Sequence, residues 1–472
     1  MRFHDLGALP VVATLVLGPA LVAAQPPGPS FSPRACGSQY LTKAGARCGT
    51  VEVAEDPAKP DRKILLNVVV VPALHPKEGT PPMFHFEGGP GIAATNAAGF
   101  YAGPGRLYRE SRDVVIVDQR GTGGSNPLHC PAIENRSPLA DEFVADDVIA
   151  CRKELSSRAD LENYSTMRAA EDIDSVRRAL HAEQIDIWSI SYGTRLAQEY
   201  IKRYPTRVRR VVMAGFAPLD YKTPLFHALN AQRVLDLLLY KCRADETCSS
   251  KYPNLSNEWN TVLARLDHSP AQVQWNGGPA SLERGRFTEE VRNSFATAAG
   301  QRAFPAMVHA AFSGDFAPFL RHERTGPSPF ATGLYLTIAC SEGASRIAPG
   351  DVERYSAGTF LGGYRVHQEL SACAEWPRYR LQPEFFRLPA SSPPLLMLSG
   401  EMDPVTTPDY AEQFCSSFQN CHLVLIPNLG HAPFDLDLWT GGECYDNMAA
   451  KFLAEGVVDN SCLKKMRPPA FR

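Results

Sequence analysis

Ser191 lies in Trp188-Ser189-Ile190-Ser191-Tyr192-Gly193-Thr194, between a β-type run and a helical stretch. A sharp strand-to-helix turn of this kind lifts one hydroxyl above a sheet edge, and the usual pattern is G-x-S-x-G. Here the first glycine is Ser189, so the motif reads S-I-S-Y-G. An ordinary buried turn serine is the plain alternative. A serine hydroxyl becomes nucleophilic only with a base in reach and an acid that orients the base. In this architecture the chain order is Ser, then Asp or Glu, then His, each just past a strand. Asp403 follows the run Leu395–Leu398 and His431 follows His422–Ile426. Glu401 competes for the acid role, and Asp435 and Asp437 lie close to the histidine in sequence. The three residues in this order predict a catalytic triad of Ser191, Asp403 and His431.

Acyl transfer also needs N–H donors for the oxyanion. The residue after the nucleophile supplies one, Tyr192, and the loop after an earlier strand supplies the other. Glu87-Gly88-Gly89-Pro90-Gly91 fits that loop, with Gly89 as the donor and Gly88 as the fallback. As a phosphate cradle it lacks the lysine of G-x-x-x-x-G-K-[ST].

The elements that would position these residues are short apolar runs alternating with helical stretches. Ile64–Val71, Met83–Phe86, Asp113–Asp118, Ile185–Ser189, Val208–Met213, Leu395–Leu398 and His422–Ile426 read as strands. Continuous apolar runs suit strands covered on both faces by helices. Ala169–His181 and Thr194–Tyr204 have helical spacing, and Pro205 stops the second. The pattern predicts an α/β fold with a mostly parallel central sheet and helices on both faces. Residues 220–385 break the rhythm: Glu289–Ala299 and Pro305–Phe312 read as helices and strands are scarce, which predicts an inserted, mainly helical cap. The expected organisation is a signal peptide over 1–24, a leader and N-terminal segment over 25–60, core over 61–219, cap over 220–385 and core over 386–472.

The chain has 472 residues, 44% hydrophobic and 21% charged, with a net charge of −3. This is ordinary globular usage, and without a basic block it argues against nucleic-acid binding. Arg2, the proline-broken apolar stretch Leu9–Ala24 and the small residues Val22-Ala23-Ala24 read as a cleaved secretory signal, with a retained anchor as the rival. No stable membrane insertion is expected after cleavage. Twelve cysteines fall as close neighbours: Cys36/Cys48, Cys130/Cys151, Cys242/Cys248, Cys340/Cys373, Cys415/Cys421 and Cys444/Cys462. Six bridges in sequence order is the simplest pairing, although spacing alone does not fix connectivity. No CxxC spacing supports a metal site, so the expectation is no metal, no cofactor and a secreted or periplasmic location.

Gly88-Gly89-Pro90-Gly91, Asp118-Gln119-Arg120-Gly121-Thr122-Gly123-Gly124-Ser125, Ser191-Tyr192-Gly193-Thr194, Asp403 and His431 together resemble the prolyl aminopeptidase and tripeptidyl aminopeptidase group of α/β-hydrolases. Two departures are Glu87, where histidine is frequent, and Ser189. The resemblance implies a serine exopeptidase acting on small peptides from a free N-terminus beneath a helical cap. Such an enzyme must hold a substrate ammonium group, and a partly buried carboxylate does so well. Glu342, Glu289 and Glu290 are the candidates, each with a solvated surface glutamate as its alternative. Asp118 and Arg120 are expected to brace the loop near the oxyanion site. A carboxylesterase or other serine hydrolase on the same scaffold, or a non-catalytic binding protein of the same shape, are the other readings.

Overall fold

The computed structural model describes residues 28–320, 330–390, 393–431, 442–466 and 470–472. The expected signal segment, Asp435 and Asp437 lie outside them. The strands are β1 (Phe31–Arg34), β2 (Arg47–Asp56), β3 (Lys59–Val71), β4 (Met83–Phe86), β5 (Val114–Val117), β6 (Ile185–Ile190), β7 (Val208–Ala214), β8 (Ala271–Trp275), β9 (Gly278–Leu282), β10 (Leu395–Gly400) and β11 (Cys421–Ile426). Nine form one sheet in the order β1-β2-β3-β5-β4-β6-β7-β10-β11. From β5 to β11 neighbours run parallel; β1, β2 and β3 add an antiparallel edge.

Strands β4, β5, β6 and β10 are buried along their whole length, as their unbroken apolar runs require. On one face they meet the helices Thr166–Ala179 and Tyr192–Arg203 through Ile173, Val176, Leu196 and Ile201. On the other they meet Met448, Phe452 and Leu453 of the helix Gly442–Glu455. The register aligns strand ends. Ile190 pairs with Ala214, and Ala214 with Leu398. Beyond the strands, Ser191 N–H donates to Ala214 and Glu401 N–H donates to Ile426. The C-terminal ends of β6, β7, β10 and β11 therefore share one edge.

Between β7 and β10 the chain is mostly helical, with helices His227–Ala244, Leu255–His268, Arg284–Ser294, Ala298–Phe312, Thr332–Ile338 and Tyr364–Ala374. Trp259, Phe287, Phe295, Phe304 and Phe360 form its own aromatic cluster. Two local expectations need correction, and one short element is added. Phe31–Arg34, read as loose leader, pairs with Cys48–Val51 as β1. The mostly helical stretch also holds a hairpin, β8–β9. Glu289–Ala299 is not one helix: it stops at Ser294 and restarts at Ala298, where the Thr297 hydroxyl caps Gly300 N–H at 3.1 Å. Gly300 lets the two helices approach, since a Cβ there would sit 2.0 Å from the Ser294 carbonyl oxygen. The structure joins Cys36–Cys48, Cys130–Cys151, Cys242–Cys248, Cys340–Cys373, Cys415–Cys421 and Cys444–Cys462.

Candidate active site

Ser191 occupies the turn between β6 and the helix Tyr192–Arg203 with φ 54 and ψ −125. A non-glycine residue held at positive φ is strained, and such strain persists only where the surroundings enforce it. Gly193 is one reason: a Cβ there would lie 2.2 Å from the Phe86 carbonyl oxygen, so the helix start could not close onto β4. Ser189, in the place of the usual glycine, is fully buried and its hydroxyl donates to the Val212 carbonyl at 3.0 Å. Its extra oxygen is absorbed by the neighbouring strand.

His431 and Asp403 reach Ser191 from the loops after β11 and β10. His431 Nε2 lies 2.9 Å from Ser191 Oγ, and His431 Nδ1 lies 2.8 Å from Asp403 Oδ2. Asp403 is fully buried and accepts from the N–H groups of Val405 and Thr406 at 2.7 and 2.9 Å. The Thr406 hydroxyl donates to Asp403 Oδ2 at 2.8 Å. A carboxylate saturated in this way fixes the histidine ring, with Nδ1 protonated and Nε2 free to accept the serine proton. Glu401 is turned elsewhere, to Lys241 at 3.2 Å and to the N–H of Asn428 at 2.8 Å.

The N–H groups expected to receive an oxyanion sit beside the hydroxyl. A Cβ on Gly88 would lie 3.0 Å from the Ser191 Cβ, so the glycine loop runs against the serine. Gly88 N–H is engaged by Glu87 Oε1 at 2.8 Å, which removes the fallback donor. Among the described residues, Gly89 N–H and Tyr192 N–H have no partner; the latter opens a helix, where N–H groups lack intrahelical acceptors. Gly89 has φ +113, a conformation glycine adopts without penalty. Asp118 makes its contacts beyond the glycine loop, accepting from Thr95 N–H at 2.9 Å, Asn67 Nδ2 at 2.7 Å and Gly124 N–H at 2.9 Å. Arg120 forks onto Asp172 at 2.6 and 2.7 Å and takes no part in the cavity. Gln119 and Thr166 hold the Tyr192 hydroxyl at 3.0 and 2.8 Å.

A cavity of about 290 Å³ contains Ser191 and His431, walled by Gly88, Gly89, Ile190, Tyr192, Phe330, Tyr335 and Ile338. None of the three expected amine-binding glutamates lines it. Glu342 is fully buried, paired with Arg195 at 3.0 Å and accepting from Tyr379 at 2.7 Å and Thr166 N–H at 3.2 Å. Glu289 accepts from Arg365 at 2.6 Å. Glu290 pairs with Arg286 at 2.6 Å and faces an adjoining cavity. Among the described residues, the carboxylate that does line the Ser191 cavity is Glu87. Burial pushes this carboxyl up, but the hydrogen bond and charge of His85 and the Gly88 N–H outweigh it and hold Glu87 below its ordinary value. The sequence flagged Glu87 only as a departure from a pattern. Thr406 carried no motif at all. Among the described residues no group of three or more His, Cys, Asp or Glu is placed to hold a metal ion.

Residues 81–295 match the family profile described as alpha/beta hydrolase fold, and residues 358–462 that described as TAP-like protein. The putative hydrolase YuaR of Escherichia coli K12 is 26% identical over 219 residues, 44% of this chain and 43% of that protein. The serine protease Hip1 of Mycobacterium tuberculosis H37Rv is 27% identical over 199 residues, 39% of this chain and 38% of its own. The tripeptidyl aminopeptidase of Streptomyces lividans is 28% identical over 218 residues, 42% of this chain and 40% of its own. The matched segment spans less than half the length of each of these relatives. Strand order, the serine turn and the matching profiles agree: the chain belongs to the α/β-hydrolase fold and resembles the aminopeptidase group within it.

Proposed function

We propose that this protein is a serine peptidase that hydrolyses short peptides from a free N-terminus. The observation that carries the proposal is the chain of contacts from Ser191 Oγ through His431 to Asp403, at 2.9 and 2.8 Å. Ser191 attacks the scissile carbonyl while His431 Nε2 takes its proton. The Gly89 and Tyr192 N–H groups receive the developing oxyanion. His431 then gives the proton to the leaving amine, and the acyl-enzyme forms. The amine departs as the first product; water, deprotonated by the same nitrogen, then hydrolyses the acyl-enzyme, releasing the N-terminal fragment and restoring Ser191. The named relatives favour peptides over esters. The ionised Glu87 favours a substrate ammonium group in the same cavity, held by a charge-assisted hydrogen bond. The helical segment over the cavity serves as the cap that limits access. Six disulfides fit action outside the reducing cytoplasm, in a secreted or periplasmic setting. Among the described residues no helix is long and apolar enough to cross a membrane.

The test is a panel of peptides with free and acetylated N-termini and matched esters, with products read by mass spectrometry. Cleavage of free-amine peptides, lost in Ser191→Ala together with labelling by a serine-reactive phosphonate, is expected. Turnover of blocked peptides or esters alone would replace the aminopeptidase with an esterase or endopeptidase.

A further inference from the structure

The Ser191 cavity carries a second polar feature on the wall contributed by the helical segment. Arg292, Arg365 and His227 all line it. Arg292 and His227 are buried, 6% and 4% exposed. Arg365 is fully engaged: Nη1 donates to Glu289 at 2.6 Å, Nε to His227 Nδ1 at 3.0 Å and Nη2 to the Tyr335 hydroxyl at 3.4 Å. Arg292 is not. Its one ion-pair contact is from Nε to Glu289 at 3.4 Å, and among the described residues neither Nη atom has a hydrogen-bond partner. Glu289 thus faces two guanidinium groups and is held tightly by the other one.

His227 completes the feature. Because Nδ1 accepts from Arg365, the ring proton sits on Nε2, and that nitrogen has no partner either. Burial, then repulsion from Arg292, Arg365 and His431, pushes His227 well below its ordinary pKa, so it stays a neutral donor. Buried donors without acceptors are costly, and a guanidinium fork with open N–H groups matches a carboxylate.

We propose that Arg292 and His227 Nε2–H form a subsite for a carboxylate on the substrate, set in the same cavity as Ser191. The proposal rests on the reading of that cavity as the hydrolytic site. Its place there makes it a selector: peptides whose carboxylate reaches Arg292 are cut in preference to their neutral counterparts. The carboxylate comes either from the free C-terminus of a short peptide or from an acidic side chain.

Matched substrates separate the two sources. One pair is a tripeptide as free acid and as C-terminal amide. The other exchanges Glu for Gln and Asp for Asn within an amidated peptide. A third pair, p-nitrophenyl hemisuccinate against p-nitrophenyl butyrate, reads the subsite without any peptide bond. Wild type is expected to prefer the acid member of at least one pair by roughly 10- to 100-fold in kcat/KM, as for a hydrogen bond to a charged group. In Arg292→Gln the ratio falls toward one, and Arg292→Lys keeps part of it. Active-site titration with a phosphonate normalises both variants for folded enzyme. A wild type with no acid preference in any pair overturns the proposal, whatever the variants do. So does an acid preference that Arg292→Gln leaves intact. Failure of peptide cleavage with an acid preference retained in the ester pair overturns the peptidase reading and leaves the subsite standing.

Discussion

Thr406 donates its hydroxyl to Asp403 Oδ2 at 2.8 Å while lying 3.2 Å from His431 Nδ1, so one side chain fixes both partners of the Ser191 base. Asp403 keeps two backbone donors without it, so Thr406→Val removes a bond and leaves the carboxylate solvated by protein. Loss of one hydrogen bond to a charged group corresponds to about 1.5–3 kcal/mol, or roughly 10- to 100-fold in kcat, with little change in KM. Asp403→Asn, which favours the wrong imidazole tautomer, should cost more, roughly 10⁴-fold, as in a well-studied serine protease. Steady-state kinetics on one substrate ranks the two, and a Thr406→Val enzyme as slow as Asp403→Asn would contradict the assigned roles.

Restoring the usual elbow glycine should not help this protein. Ser189 lies inside β6 with its hydroxyl on Val212. Ser189→Gly loses that bond, about 0.5–1.5 kcal/mol, and adds roughly 0.5–1 kcal/mol of backbone entropy. The expected result is a lower melting temperature with kcat within a few-fold of wild type. A rise in melting temperature would mean that the serine strains the turn.

Glu342 separates a structural from a substrate-binding role. Its carboxylate neutralises Arg195 in a buried pair. Glu342→Gln leaves that guanidinium uncompensated, and breaking buried pairs typically costs about 3–5 kcal/mol. Urea titration should show this loss. A stable Glu342→Gln protein with KM raised only for free-amine peptides would return Glu342 to the amine-binding role.

Glu369 makes stability depend on pH near neutrality. Burial, reinforced by Glu142 and Glu289 and opposed by Arg365 and Tyr335, raises its carboxyl to about 7, from an ordinary value of 4.5. The folded protein therefore holds a proton that the unfolded chain has released. This contribution is complete below pH 4.5 and is lost as pH rises through about 7, worth at most about 3 kcal/mol. Glu369→Gln can still accept from the Tyr335 hydroxyl, so it should lose less stability than wild type between pH 5 and pH 8. Melting curves at both pH values decide it; parallel behaviour of the two proteins would place the Glu369 carboxyl at its ordinary value.

The strands and the serine turn were legible in the sequence because their signals are local. An apolar run such as Val114–Val117 needs burial on both faces, and S-I-S-Y-G needs a strand before it and a helix after it. Asp403 and His431 were legible because each follows such a run. The β8–β9 hairpin was readable but missed: Asn276-Gly277 sits between its strands with φ of 49 and 81, the Asn-Gly signature of a tight turn. The role of Glu342 was not readable, because its partner Arg195 comes from a distant helix and only the folded sheet brings them together. The same holds for Thr406, whose hydroxyl has meaning only beside His431, and for Glu87, whose ionisation depends on His85 beneath it.

Ser191, Asp403 and His431 hang from the rim of the sheet, whereas Arg292 and His227 belong to helices gathered around Trp259, Phe295 and Phe304. On the proposed reading, reactivity and choice reside on different stretches of chain. A lineage that rewrites the aromatic-centred stretch must therefore keep the Ala296 carbonyl in place, because it holds the backbone N–H of His431 at 3.0 Å.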